Sequence, residues 1–302
     1  MQAGPPTFSI VLPTYRRPQP LRRCLEALSR LDYPRERFEV LVVDDGSDES
    51  PEPIVSEVSG TISTRLIQQD HAGPARARNR GAAEASGRFL AFTDDDCEPE
   101  TGWLKAFEVA LQGEPHTLAG GTTVDLIVNR PCSQASQALI DYLYAYANQN
   151  HGGPAFFTSN NIATERTAFL DIGGFDPSFP LAAAEDRDLC DRWRAKGWPM
   201  RVAPDARIGH AHDLNLGAFV RQHFNYGRGA YQFHRRRATR SDKPIRVEPL
   251  AFYTGLLAFP FKRPGQRRRM TVAILLLASQ LANAAGFFHE RFHSRRSSTR
   301  TP

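Results

Sequence analysis

Cysteine is scarce in this 302-residue chain. Cys24, Cys97, Cys132 and Cys190 lie far apart with no C-x-x-C pair, which excludes a disulfide framework and a cysteine zinc site and reads as reduced thiols. No charged n-region followed by an apolar h-region opens the sequence, so export through a signal peptide is not expected. A clean membrane-spanning run is missing too. Residues 249–260 are too short to span as a helix, and Thr271 to Phe288 is interrupted by Ser279, Gln280, Asn283 and Gly286. Lysine is absent between Lys105 and Lys196, and the N-terminal region has no glycine-rich phosphate loop with a basic partner.

What is present is an ordinary apolar content, enough for one large α/β domain with an appendage or for two domains. Phe89-Leu90-Ala91-Phe92-Thr93 reads as a buried strand that runs straight into Asp94, Asp95 and Asp96. Three adjacent carboxylates repel one another, and a divalent cation that prefers hard oxygen ligands would hold them together. A solvated acidic turn is the plainer alternative for such a triple.

Upstream, Thr7–Leu12 is β-rich and ends at the polar loop Pro13-Thr14-Tyr15-Arg16-Arg17, before Pro18 opens a helix with Leu21, Leu25 and Leu28 on one face. Phe38–Val43 is a second strand, stopping at Asp44-Asp45-Gly46-Ser47, where ordinary turn chemistry would also explain the acids. Thr64–Gln68 is a third, after which Gly73-Pro74-Ala75 starts a helix carrying Arg76, Arg78, Asn79 and Arg80, an anion-favouring arrangement. Strands alternating with helices predict βαβ units and a mostly parallel sheet, with both acidic groups and the arginines at one edge. A metal, a base-binding carboxylate and phosphate-binding arginines in one cleft suit a nucleotide diphosphate.

Ser9–Tyr15, Val42–Ser47, Ala77–Gly81 and Phe92–Asp96, in this order and spacing, resemble the GT-A-fold glycosyltransferases of family 2. Gly173-Gly174-Phe175-Asp176 and Ala184–Leu189 look like that family's acceptor-side loop and catalytic-base segment, so the resemblance covers roughly residues 7–215. It implies a Rossmann-like, mostly parallel sheet flanked by helices, with a helical C-terminal extension. Tyr15 and Asp45 would hold the nucleobase, Pro13 and Thr14 would add backbone contacts, and Asp44 belongs to the same nucleotide-sugar-binding set. Arg76 and Arg78 would meet base or diphosphate. Asp94 and Asp96 would be the Asp-x-Asp metal ligands for Mn2+ or Mg2+, with Asp95 nearer the ribose and Asp96 the firmest ligand.

Glu185 and Asp186 begin a helical stretch with Leu189 and Trp193 on one side, a placement that also suits simple capping. The resemblance makes Asp186 the general base toward an acceptor hydroxyl, with Glu185 positioning it, in a single inverting displacement. His210 matches a histidine that approaches the metal or diphosphate in related enzymes. Trp103 and the pair Asn160-Asn161 would border the sugar or belong to the core. A turn is expected at Pro204-Asp205 after the strand Met200–Val202.

Two basic groups follow: Arg235, Arg236, Arg237, Arg240, Lys243 and Arg246, then Lys262, Arg263, Arg267, Arg268 and Arg269. Beside the apolar segments they point to an anionic membrane surface or a lipid-linked acceptor over nucleic acid, with Thr271–Phe288 as an interfacial helix in preference to a marginal membrane span, or as a helix packed on the core. The expected division is a catalytic domain over 1–215, a helical basic and apolar extension over 216–290, and a disordered tail over 291–302. The function expected is an inverting, metal-assisted glycosyltransferase in cell-envelope polysaccharide or glycolipid synthesis, cytoplasmic and on the inner face of a membrane. A UDP-sugar is the default donor, and a glycan, lipid-linked or small-molecule glycoside the acceptor. The alternatives are a catalytically silent nucleotide-binding or membrane-scaffold protein and a sugar-nucleotide pyrophosphorylase. A phosphorelay receiver is disfavoured by the missing lysine and by the strand–helix unit ahead of Asp44-Asp45.

Overall fold

A computed structural model of the chain describes residues 6–149, 154–179, 183–240 and 248–298. The apolar run Phe8–Thr14 forms β1, buried at every position, because it lies between two parallel neighbours. These are β2 (Phe38–Asp44) and β4 (Phe89–Phe92), and β3 (Ser63–Gln68) adds in parallel outside β2. Strands covered on both faces need no polar alternation, which is why they read as continuous apolar runs. The crossovers carry α1 (Pro18–Ser29), α2 (Glu52–Val58) and α3 (Pro74–Glu84), and α1 buries Leu21, Leu25 and Leu28 as its spacing predicts.

The second half adds β5 (Cys97–Pro99), α4 (Trp103–Ala110), β6 (Leu118–Asp125), α5 (Pro131–Gln149), β7 (Ile162–Glu165), α6 (Arg166–Asp171), α7 (Glu185–Ala195) and β8 (Met200–His210). The sheet order is β3-β2-β1-β4-β7-β6-β8-β5, with β7 antiparallel to both neighbours and β5 antiparallel to β8. The expected turn at Pro204-Asp205 is instead a bulge within one strand. Pairing passes from Gly120↔Val202 to Thr122↔Arg207, and the extra β8 residues hold a proline that cannot donate to the ladder.

Register sets the cleft. Thr14 pairs with Asp44, so β1 and β2 end level, and β4 ends beside Val11 just before the acidic triple. Cys97 pairs with His210, which carries the end of β8 back to the triple. Buried side chains form one layer on each side of the sheet, Trp103 and Phe107 in one, Phe169, Phe175 and Trp193 in the other.

A third cluster lies between α5 and the C-terminal helices α8 (Leu216–Arg240), α9 (Leu250–Lys262) and α10 (Arg269–Ser298), with Phe219, Phe252, Leu256 and Leu276 at its centre. α8 and α10 approach closely at glycines. A β-carbon on Gly227 would collide with the Asn283 carbonyl, and one on Gly286 with that of Phe224. Two expectations differ from the structure here. α10 runs on to Ser298 where a tail was expected from 291, and Glu290 within it pairs with Arg228 at 2.8 Å. Residues 299–302, and Lys243 and Arg246 of the first basic group, lie outside the described residues.

The other correction concerns that basic group. Arg236 pairs with Asp176, Arg237 with Asp191 at 3.2 Å, and Arg240 with Asp188 at 2.6 Å. These guanidiniums fasten α8 to α7 and to the acceptor-side loop, and so are engaged inside the fold. In the second group Arg263 pairs with Asp141 at 2.5 Å, whereas Lys262, Arg267, Arg268 and Arg269 are exposed.

Candidate active site

The cleft is built at the ends of β1, β2 and β4. The chain leaves β1 through Tyr15 and turns in the left-handed region at Arg16, φ 54°, with the Arg16 N–H donating to Ser47 Oγ at 2.8 Å. Tyr15 stacks on His71 with ring centroids 4.2 Å apart and 21° between planes, one flat aromatic surface on the cleft wall.

Asp45, expected to accept from a nucleobase, is used differently: its oxygens accept from Gln69 Nε2, Ala72 N and Gly73 N at 2.7, 2.9 and 2.8 Å, and His71 Nδ1 lies 2.9 Å away. At 4 % exposure it pins the loop in front of α3. Asp44 accepts from Ser47 N at 3.1 Å and closes that turn. Pro13 is buried in β1, and Thr14 Oγ1 donates to Asp95 Oδ2 at 2.9 Å, orienting that carboxylate.

Each acid of the triple has a cationic partner, with Arg17 shared by two of them. Asp94 Oδ1 accepts from Arg78 Nη2 at 2.6 Å. Asp95 Oδ1 and Asp96 Oδ2 each accept from Arg17, at 2.8 Å apiece. Asp96 Oδ1 lies 3.1 Å from His210 Nε2. Burial pushes the Asp95 carboxyl up, against Arg17, to about 7. Burial acts on Asp96 in the same sense, but the hydrogen bond and charge of His210 outweigh it and hold Asp96 well below the usual range. Burial depresses His210, and the Asp96 hydrogen bond and charge reverse that to a net rise.

Arg78 does more than pair with Asp94. Its Nη1 donates to Glu185 Oε1 at 3.2 Å, and its guanidinium lies 5.5 Å from the centroid of Phe175. The metal segment and the base segment, far apart in sequence, are thus brought to one side chain. Arg76, by contrast, is two residues earlier on α3 and exposed. Glu185 and Asp186 begin α7, after Ala184 in the left-handed region at φ 74°, with free helix N–H groups to favour them. Arg187 N donates to Asp186 Oδ1 at 2.7 Å. Burial raises both carboxyls, and in Glu185 the neighbouring Asp186 adds to it.

Asn79 exchanges two hydrogen bonds with the Phe175 backbone, at 2.7 and 2.9 Å, which pins the Gly173–Asp176 loop to α3. Trp103 and Asn161 do not border the cleft: Trp103 Nε1 donates to Asn161 Oδ1 at 2.8 Å, and Asn161 clamps the Thr122 and Ala206 carbonyls in the core. Asn160 contacts Cys97 Sγ at 3.6 Å behind Asp96.

The residues present fit a hard divalent cation. Ligand atoms of Asp96, Cys97 and His210 lie within 4.8 Å of one another. Burial drives the Cys97 thiol well above its ordinary value, and sulfur is the softer donor, so the carboxylate and the imidazole are the groups suited to Mn2+ or Mg2+. Asp94, the other expected ligand, is not in that group, and its Oδ1 is paired with Arg78. Sequence reasoning missed His71 and Arg17, and also Tyr226 of α8, which is 36% exposed but whose phenol is raised by desolvation of its hydroxyl end and by the charges of Asp186, Glu185, Asp96 and Asp94. Only the basic pair at 16–17 gave a local hint; the others arrive by long-range packing.

Comparison with known proteins gives a consistent picture. Residues 9–173 match the profile of "Glycosyl transferase family 2" and residues 122–289 that of "Glycosyl transferase family group 2". Glycosyltransferase AglE of Haloferax volcanii is 27% identical over 229 residues, 75% of this chain and 74% of that protein. The pre-mycofactocin glycosyltransferase of Mycobacterium tuberculosis is 29% identical over 70% of this chain and 45% of its own length. Validoxylamine A glucosyltransferase of Streptomyces hygroscopicus subsp. jinggangensis is 28% identical over 72% of this chain and 61% of its own. The chain therefore spans less than two thirds of the latter two. Among solved structures, mannosyltransferase PcManGT from Pyrobaculum calidifontis, in complex with GDP-Man and Mn2+, superimposes with a TM-score of 0.61 at 19% identity, covering 100% of this chain and 84% of that one. S. aureus TarS 1-349 with UDP-GlcNAc gives 0.53 at 15% identity, covering 96% and 92%. At such identities the structural likeness is one of fold.

Proposed function

The chain belongs to glycosyl transferase family 2, and from that premise we propose that it moves a sugar from a nucleotide-diphosphate donor to an acceptor hydroxyl with inversion, assisted by a divalent cation. Its fold is the GT-A arrangement of an α/β sheet with flanking and C-terminal helices, and the relatives named above are all glycosyltransferases, with no pyrophosphorylase or silent binding protein among them. The observation that carries the reading is Arg78, which ties Asp94 of the acidic triple to Glu185 of the base segment inside one cleft.

In this reading the nucleobase lies against the Tyr15–His71 surface and the loop that Asp45 fixes, with backbone contacts from Pro13 and Thr14. Asp44 shapes the neighbouring turn, Asp95 meets the ribose, and Arg76 is exposed where it can reach the diphosphate. Asp96 and His210 would hold the cation. When bound, Mn2+ or Mg2+ neutralises charge on the departing diphosphate. Asp186 takes the proton of the acceptor hydroxyl as that oxygen bonds to the anomeric carbon. The carbon–oxygen bond to the diphosphate breaks with its electron pair leaving on the nucleotide. Glu185, fixed by Arg78, keeps Asp186 aimed. Burial favours the neutral acid, so Asp186 is poised to accept and retain a proton.

A screen of sugar nucleotides by thermal shift, with Mn2+ and with EDTA, tests this. A matched donor raises the melting temperature by mass action and releases nucleoside diphosphate slowly in water. Absence of any shift across UDP-, GDP- and dTDP-sugars overturns it.

A catalytic domain over 1–215 with a helical extension over 216–290 remains the proposed division, and the extension supports attachment to the cytoplasmic face of a membrane. α10 packs on α8, α5 and α9 along one side, while Met270, Ile274, Leu277, Leu281, Phe288 and Phe292 recur at helical spacing on its exposed side. Arg267, Arg268 and Arg269 at its start are placed for anionic headgroups. The helix is long and apolar enough to cross a membrane; its packing on α8, α5 and α9 supports the reading in which it lies along the bilayer surface. Leu277→Ser with Leu281→Ser should abolish flotation with anionic vesicles and leave donor binding intact; unchanged flotation overturns the membrane reading.

A further inference from the structure

Among the three carboxylates, two kinds of counter-ion are present. Arg78 is permanent: its side chain is 3% exposed, fixed between Asp94 and Glu185 and packed over Phe175. Arg17 differs. It stands at the open end of the loop after β1, its side chain 45% exposed, and spans the cleft with one nitrogen on Asp95 Oδ1 and the other on Asp96 Oδ2, both at 2.8 Å. The left-handed turn at Arg16 aims it there, tied down by Ser47 and by an Arg16–Asp48 pair at 2.7 Å. The carboxylate best placed to bind a cation with His210 is therefore already bridged by a guanidinium.

We propose that Arg17 is an internal competitor of the catalytic cation for Asp96, displaced when a nucleoside diphosphate binds, and that the freed guanidinium then pairs with that diphosphate. This rests on the donor reading above. The physical reason is charge. A dication on Asp96 and His210 beside a guanidinium on the same carboxylate sets like charges a few ångströms apart, so each weakens the other's hold on Asp96. A diphosphate supplies the negative charge that lets both stay, with the planar fork matched to phosphate oxygens as well as to carboxylates. Cation and nucleotide then bind cooperatively, and Arg17 adds its share to the direct attraction between cation and diphosphate.

The experiment titrates Mn2+ by EPR into wild type, Arg17→Ala and Arg17→Lys, without nucleotide and with saturating UDP or GDP, with melting temperatures confirming that each variant is folded. In wild type, nucleotide tightens Mn2+ about 100-fold or more. In Arg17→Ala, Mn2+ binds about tenfold tighter without nucleotide, the tightening by nucleotide shrinks to a few-fold, and nucleotide affinity with Mn2+ present falls. Arg17→Lys keeps the charge without the fork and falls between the two. Equal Mn2+ affinity and equal coupling in wild type and Arg17→Ala overturn the inference while leaving the donor reading intact. Nucleotide binding by wild type that is the same in EDTA as in Mn2+, and lost in Arg17→Ala, also overturns it, since Arg17 would then replace the cation permanently. Failure of every variant to bind Mn2+ or nucleotide overturns both readings.

Discussion

Arg78 and Glu185 are joined at 3.2 Å across a contact in which both side chains are almost wholly buried, at 3% and 5% exposure. Breaking such a pair leaves an uncompensated charge in the interior, at a cost of about 3–5 kcal/mol. Arg78→Met should therefore lower stability by that order in urea unfolding and abolish turnover, because Asp94 and Glu185 lose their common partner. Glu185→Gln keeps the Arg78–Asp94 bond and should cost far less stability. Equal losses in the two variants would contradict the bridging role.

Asp186→Asn should reduce turnover about 10²- to 10⁴-fold, the usual contribution of a general base, with donor affinity unchanged by calorimetry. Because burial raises Asp186, activity in wild type should fall with acidification at a pH above the ordinary aspartate range. That limb should be missing from whatever activity the variant retains. A variant with weakened donor binding and normal turnover would place Asp186 elsewhere in the cycle.

Cation affinity should depend on pH through His210. Its imidazole is held above 6.5 by Asp96 despite burial, and ligation requires the proton to leave. Affinity for Mn2+ should thus rise as pH climbs through that raised value. His210→Ala should remove this dependence and weaken binding about 10- to 100-fold, read from free Mn2+ by EPR across the neutral range.

Asp95 gives a separate stability signature. A carboxyl raised from 3.8 to about 7 binds its proton more tightly in the folded state, so its contribution is full below the ordinary value and is lost as pH rises through about 7. The metal-free protein should lose up to about 4 kcal/mol on this account, three units at about 1.4 each, between roughly pH 4 and 7. Asp95→Asn should reduce the pH dependence over that interval in EDTA, leaving the part that the raised Glu185 and Asp186 carboxyls contribute, measured by denaturation at each pH.

Gly286→Ala should separate α8 from α10, since the added carbon meets the Phe224 carbonyl. The expected cost is about 1–3 kcal/mol, accompanied by faster amide exchange along α10. Gly265→Ala, in an exposed turn with open space around it but φ 72°, should cost less and leave α10 exchange unchanged.

Much of this was legible in the sequence because it is local. β1, β2 and β4 announce themselves as apolar runs, and their ends carry Asp44, Asp45 and Asp94–Asp96 because sheet register brings parallel strands to a common edge. What stayed hidden are pairings across long separations. Arg240 finds Asp188, 52 residues earlier, and so a stretch that looks like a free basic patch is part of the scaffold. Arg17 reaches Asp95 and Asp96 across 78 and 79 residues, and nothing in the loop's composition says which acid it meets. Asp45 was expected to face a ligand; its four contacts with residues 69–73 depend on how the loop before α3 folds back, which turn chemistry alone does not specify. The apolar character of α10 was plain, but which of its sides is covered follows from glycines on two helices meeting at one crossing.

That crossing, together with the bond from Arg240 to the first turn of α7, makes the C-terminal pair a strut. Any surface on which α10 comes to rest is then held at a set height and tilt relative to Asp186, so an acceptor rooted in that surface meets the reacting carbon at a depth fixed by the length of the strut.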